Sequence, residues 1–218
     1  MNVLLVAATE LEVRPILTVL KTSGFSRNGH EIHFLPTGVG QAVTAFALAE
    51  YLAQFNRRFG AIVQAGIGGV FNGLYPLGSV VQVERDCFGD LGMEEKGRFT
   101  TLFQAGFAQS NEKPYTDGWL VNETALLDKL PLPKVKGVTV NKVSDSTVQR
   151  QQLLNAFDPV VESMEGAAFH YACLQYGLPF VQLRALSNAV GERDKALWDI
   201  PTAINNLSNA VLQLIDSL

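Results

Sequence analysis

Three polar side chains stand at the ends of apolar segments, where a carboxylate or carboxamide can meet a ligand: Glu12, Glu165 and Asn188. Glu10 and Glu12 follow directly on the apolar run Val3–Ala8. A carboxylate at that edge can serve as a general base. The same residues also fit an ordinary helix start, with Thr9 as N-cap, Glu12 at the capping-box spacing and Glu10 favoured by the helix dipole. In Met164-Glu165-Gly166-Ala167-Ala168 a glutamate opens a helix of small, apolar residues. It either complements the helix dipole or accepts hydrogen bonds from paired hydroxyls such as a ribose diol, with Gly166 and Ala167 allowing close approach. Val181–Leu186 is a buried-strand pattern ending in Ser187-Asn188. A Ser-Asn pair often makes only a turn. Arg184 within that strand must nevertheless be paired, because an unpaired buried charge is prohibitively costly.

Other familiar constellations are missing. Gly38-Val39-Gly40 has Val43 where a dinucleotide fingerprint needs its third glycine, and Arg58 where it needs an acid. Gly66, Gly68 and Gly69 have the wrong spacing as well; they fit tight turns at a strand end or backbone approach to a ligand. There is no P-loop and no nucleophile elbow. His30 and His33 are three apart on a predicted strand and point to opposite faces, so they cannot share a metal, and His170 sits mid-helix beside Phe169 and Tyr171. Neither a metal nor a cofactor is expected.

The elements that must position these residues alternate between strand and helix. Strands are predicted at Val3–Ala8, His30–Leu35, Ala61–Gln64, Gly78–Glu84, Lys134–Ser144, Val160–Ser163 and Phe180–Leu186, the first continuous in apolar residues as parallel strands tend to be. Helices are predicted through Ile16 and Leu20, at Ala42–Phe55, Thr147–Phe157, Glu165–Tyr176 and Pro201–Leu218, with a short one capped by Asn122 and ending before Pro131. Ser26-Arg27-Asn28-Gly29 is a turn, and Arg85–Gly118 reads as short strands and a covering loop. The expectation is one α/β domain over residues 1–218, a three-layer α/β/α arrangement around a mixed, mostly parallel sheet.

The 218 residues are 47% hydrophobic and only 17% charged, which points to extra buried surface such as a subunit interface. Seventeen Lys and Arg against 21 Asp and Glu give net charge −4 without a basic run, so no nucleic-acid partner is expected. The apolar start lacks a cationic leader and is interrupted by Glu10 and Glu12, and no stretch reaches the roughly 18 apolar residues of a membrane span. Cys87 and Cys173 form no disulfide framework. A cytoplasmic chain without membrane association is expected, in which the sequons at Asn122 and Asn206 carry no meaning.

Taken in order, Ala8–Glu12, Thr37–Gly40, Ala65–Gly69, Val161–Ala168 and Arg184–Asn188 resemble the nucleoside phosphorylase/nucleosidase superfamily from end to end. The chain is most similar to its hydrolytic branch, the purine nucleosidases acting on methylthioadenosine and related compounds. The resemblance implies Glu12 as the base that activates water, Met164 and Glu165 as the ribose floor, and a homodimer. It also implies an acid after Arg184-Ala185-Leu186-Ser187 to engage the purine imidazole; Asn188 stands there instead. Asn cannot transfer a proton, but its amide offers two donors to the two acceptors of a 6-oxopurine such as hypoxanthine. It can also read adenine bidentately. The tail Ser187–Asp194 with Trp198 resembles the group that hydrolyses futalosine in menaquinone biosynthesis. That resemblance implies a carboxylate on the far side of the ribose, answered by Arg193 or a nearby basic residue; Arg193 also fits a loop ion pair with Glu192 or Asp194. Val143 is expected to pack on the base, within a contact segment at Asn141–Ser146, and Gly66 to approach the nucleoside. An adenosine-type nucleosidase uses the same frame. A phosphorylase needs cations for phosphate, and neither glycine segment carries one, with Gln64 preceding one and Gln41 following the other.

Overall fold

A computed structural model describes residues 1–55, 59–71 and 73–218. Arg58 lies outside the described residues. The chain order is β1 (Asn2–Ala7), α1 (Glu10–Thr22), β2 (Ser26–Arg27), β3 (His30–Pro36), α2 (Gln41–Gln54), β4 (Ala61–Val70), β5 (Val80–Asp86), β6 (Gly92–Glu95), β7 (Arg98–Thr101), β8 (Leu120–Val121), β9 (Lys134–Thr139), α3 (Thr147–Phe157), β10 (Val161–Ser163), α4 (Gly166–Tyr176), β11 (Phe180–Ala189) and α5 (Ile200–Ser217). A short 3₁₀ turn spans Ala125–Asp128; its N-cap is Thr124, not Asn122. The Asn122 amide instead bonds the Phe180 carbonyl at 2.7 Å.

The sheet is mixed, as expected. β1/β3, β1/β4, β4/β11, β5/β9 and β9/β10 are parallel, whereas β4/β10, β5/β11, β5/β8 and β2/β3 are antiparallel. Because β10 pairs with both β9 and β4, the strands β4, β11, β5, β9 and β10 close into a ring. An open, mostly parallel three-layer sheet is therefore too simple a picture. Helices still flank both faces of the parallel β1–β4–β11 segment. Val3, Leu5, Ala7, Val63 and Leu183 pack against α1 and α5, and the alternate residues Leu4, Val6 and Ile62 pack against α2 and α4. Burial on both faces explains the unbroken apolar run of β1.

β4 and β11 outrun their predicted ends furthest, and both extensions matter for the site. β4 does not stop at Gln64 but continues through Ala65–Val70. Its glycines are in the strand because the neighbours leave no room for a side chain: a Cβ on Gly68 would lie 2.7 Å from Val161 Cγ2 and 2.9 Å from the Glu162 carbonyl oxygen. β11 likewise runs on through Ser187 and Asn188, with a register shift between Leu186 and Asn188. That bulge re-aims the strand end. The segment after β5 carries the β6–β7 hairpin, a separate two-stranded sheet.

Candidate active site

Glu12 sits one turn into α1, half-buried. Its Oε2 accepts from the Thr9 amide at 3.1 Å and the Thr9 hydroxyl at 3.2 Å, so the predicted capping interaction is present. Its Oε1 reaches further and accepts from the Ile67 amide in β4, at 3.1 Å. Helix capping and site building are thus done by different oxygens of one carboxylate. Burial pushes the Glu12 pKa above its ordinary 4.5; the Arg184 charge and the Ile67 hydrogen bond pull the other way.

Arg184, 1% exposed, finds partners for both terminal nitrogens of its guanidinium, while its Nε has none among the described residues. Its Nη1 donates to the Ile67 carbonyl at 3.3 Å and to Glu165 Oε2 at 3.4 Å, and its Nη2 donates to Gln64 Oε1 at 3.1 Å. Ile67 is therefore a hub, giving its N–H to Glu12 and taking Arg184 on its C=O. Gly66, beside it, must be glycine here: a Cβ would overlap Arg184 Nη1 and lie 3.1 Å from Glu12 Oε1.

Glu165, 5% exposed, is the N-cap residue of α4, yet its side chain makes no cap bond to its own helix. It turns to the positive-φ residue Gly40 at the start of α2, whose N–H donates to Oε1 at 3.1 Å. Two distant carboxylates thus converge on one arginine. Met164 precedes Glu165 and is half-buried.

Asn188 belongs to the same strand pair, in register with Gly69 two residues beyond the Ile67 hub. Its Oδ1 accepts from the Ser187 hydroxyl at 2.9 Å and its Nδ2 donates to the Ala189 carbonyl at 2.9 Å. One of the two amide protons expected for a purine is therefore committed inside the strand end, and one remains. No hydrogen bond ties Asn188 to Glu12 or Glu165 among the described residues.

Val143 and Arg193 lie together on an open cleft of about 570 Å³, with Lys142, Asp145 and Gln149. Arg193 stacks over the Trp198 ring, 5.5 Å from its centroid. Its expected alternative, an ion pair with Glu192 or Asp194, is not formed among the described residues: Glu192 accepts from the Asp194 amide and Asp194 from the Ala196 amide. A neighbouring cleft of about 460 Å³ is lined by Gln41, Ala42, Phe88, Tyr115 and Tyr171, which puts parts of the 85–118 segment beside the start of α2. Sequence reasoning did not single out Glu162. This buried carboxylate, pushed up in pKa by burial, accepts from the Ser144 amide at 3.1 Å and from the Ser144 hydroxyl. It therefore fixes the segment that carries Val143. Only its place inside an apolar strand, one residue before Ser163, could have marked it.

Residues 4–218 match the model of the phosphorylase superfamily. The chain belongs to the phosphorylase superfamily. Within this family it is 36% identical to a futalosine hydrolase of Thermus thermophilus over 84% of this chain and 80% of that protein. It is 33% identical to a futalosine hydrolase of Streptomyces coelicolor over 98% and 95%. Among solved structures, the family fold is matched by the 5'-methylthioadenosine/S-adenosylhomocysteine nucleosidase of Neisseria meningitidis, with TM-score 0.82, 19% identity and coverage of 100% and 99%. Among the described residues no cluster of His, Cys, Asp and Glu is arranged to hold a metal, and no helix is long and apolar enough to cross a membrane.

Proposed function

We propose that this chain is a nucleosidase that hydrolyses the N-ribosidic bond of futalosine, releasing hypoxanthine and dehypoxanthine futalosine in menaquinone biosynthesis. The observation that carries the substrate assignment is the 33–36% identity to two futalosine hydrolases over most of both chains. The reaction proceeds through an oxocarbenium-like transition state, as glycoside hydrolysis generally does. Glu12 takes the proton of a water attacking the anomeric carbon. A carboxyl with a raised pKa, fixed by Thr9 and Ile67, suits that task. Glu165 accepts from the ribose hydroxyls and is held for this by Gly40 and Arg184. Met164 and Gly66 line the sugar, and Val143 packs on the base. The remaining Asn188 N–H stabilises negative charge on the departing purine, a role of the oxyanion-hole kind. Arg193 answers the distal carboxylate of the substrate with a guanidinium that forms no ion pair among the described residues.

The same reading has residues 1–218 acting as one catalytic domain, cytoplasmic and without a cofactor, as a homodimer. The exposed apolar residues Val39, Val43 and Phe46 around the start of α2 support a subunit interface there. Purine release from futalosine, inosine and methylthioadenosine, followed chromatographically with and without phosphate, tests the assignment. Phosphate-independent hypoxanthine release from futalosine is expected. Faster cleavage of methylthioadenosine would assign an adenosine-type nucleosidase, and a phosphate requirement with a sugar phosphate product would assign a phosphorylase.

A further inference from the structure

Asp86 closes β5 with no solvent exposure, outside the groups used so far. Its Oδ1 accepts from the Cys87 amide at 2.8 Å and the Thr139 hydroxyl at 2.9 Å, and its Oδ2 accepts from the Gln182 carboxamide at 3.0 Å. The Thr139 hydroxyl in turn accepts from the Ala167 amide at 2.7 Å and lies 3.3 Å from the Ser163 hydroxyl. Ser163 accepts from the Gly166 amide at 3.2 Å. A carboxylate only accepts, so the proton of Thr139 points to Asp86, and the threonine's lone pairs are turned toward Ala167 and Ser163. The network has one direction, ending on Asp86.

Its starting points are the first two amides of α4. Those N–H groups have no partner within a helix, and an N-cap side chain ordinarily takes the N–H of the second or third helical residue, here Ala167 or Ala168. Here the N-cap residue is Glu165, whose carboxylate is spent on Gly40 and Arg184 instead. Thr139 and Ser163 do the capping in its place. We propose that Asp86 is a positioning residue: by orienting the Thr139 hydroxyl it holds the first turn of α4, and so frees and fixes the Glu165 carboxylate for the sugar. Gly166 belongs to the same arrangement, because a Cβ there would overlap Asp86 Oδ2 and lie 2.6 Å from the Gln182 carboxamide. The helix start has been cut down to glycine so that the acid can pack against it.

The proposal rests on the assignment of Glu165 to the ribose, so its test has an arm that needs no substrate. Futalosine kinetics and amide hydrogen exchange at Gly166 and Ala167 are measured for the wild type, Asp86→Asn, Asp86→Ala and Thr139→Val. Asn keeps an acceptor for Thr139, and the Gln182 Oε1, unpartnered among the described residues, can take its new N–H after an amide flip. Asp86→Asn should therefore leave KM within about twofold and exchange unchanged. Asp86→Ala should raise KM by roughly tenfold, with kcat changed less, and speed exchange at Ala167 by a similar factor. Thr139→Val keeps the shape and should do the same, which covers an alanine variant that fails to fold. Wild-type KM and exchange in folded Asp86→Ala or Thr139→Val overturn the proposal, as does an Asn variant impaired as badly as the Ala variant. A wild type that leaves futalosine intact while exchange behaves as expected overturns the substrate assignment and leaves the positioning role standing.

Discussion

The sugar side of the site and its far side are built on opposite principles. On the sugar side, Glu165 and Arg184 are almost without exposure, and hydrogen bonds run unbroken from Thr9 through Glu12, Ile67 and Arg184 to Glu165 and Gly40. On the far side, Val143 is 36% exposed, Arg193 is exposed, and both edge an open cleft. Groups that stabilise a transition state gain most when they are fixed in advance and kept from water. Groups that sort substrates can sit on adaptable loops at the surface. On the proposed roles, bond cleavage draws on the network that β4 and β11 hold together, whereas choice among nucleosides falls to the segments at 141–146 and 192–198.

The largest expected effect falls on the sugar side. Glu12→Gln keeps one acceptor oxygen, enough for Ile67 or for Thr9 but not for both, and removes the base, so turnover should fall on the order of 10²–10⁴-fold. A loss below tenfold in the purine-release assay would take Glu12 out of the mechanism. The pH profile sharpens the point. Burial raises the Glu12 pKa above 4.5, and the base works only when ionised. The acid limb of kcat/KM should therefore be displaced upward from that of an ordinary glutamate and disappear in Glu12→Gln.

The sugar side also carries an electrostatic load of its own. Burial pushes Asp86 up to about 7 from its ordinary 3.8, against the opposing pull of Thr139, Arg184 and Cys87 and with the push of Glu165. A folded-state pKa raised above the unfolded one stabilises fully below about pH 4, and that stability is lost as pH rises through 7. Asp86→Asn does not titrate there. Its stability relative to wild type should rise between pH 4 and pH 8 by on the order of 4 kcal/mol, read from urea unfolding at both pH values. A pH-independent difference would show that Asp86 ionises freely and that the sugar side is less desolvated than its burial indicates.

Much of this contrast was legible in the sequence, though unevenly. Glu12, Glu165 and Arg184 declared themselves because each stands at a strand end or inside an apolar run, where a charge demands a partner. The partners themselves were not legible: Gly40 and Ile67 act through backbone N–H groups that every residue has, and only the closure of the ring brings them to the carboxylates. Local pattern also misread Ala65–Gly69 as a terminal turn, since glycine is the ordinary turn residue. Its strand state is imposed by β10 and β11 pressing from both sides. Asp86 was hidden inside a segment without periodicity, and its network joins β5, β9, β11 and α4, elements far apart in the chain.

On the far side, Arg193→Ala should raise KM for futalosine by roughly tenfold, the usual loss for one charge-assisted hydrogen bond at an accessible position. kcat should hold, and KM for inosine, which has no distal carboxylate, should not move. An equal rise with both nucleosides would make Arg193 a prop for the Trp198 loop rather than a reader of the substrate.

Val143→Ala provides the smallest expected effect and the most direct challenge to the contrast. Each buried methylene contributes about 0.8 kcal/mol, and a side chain on an open cleft is only partly covered even by a bound base. The change should therefore raise KM by no more than about fivefold and leave kcat intact. Glu162 and Ser144 hold the segment from beneath, so the truncation should not shift its backbone. If Val143→Ala instead lowered kcat as strongly as Glu12→Gln, the far side would be taking part in the transition state. Substrate choice and catalysis would then be one preorganised unit, with the open cleft closing over the nucleoside before the bond breaks.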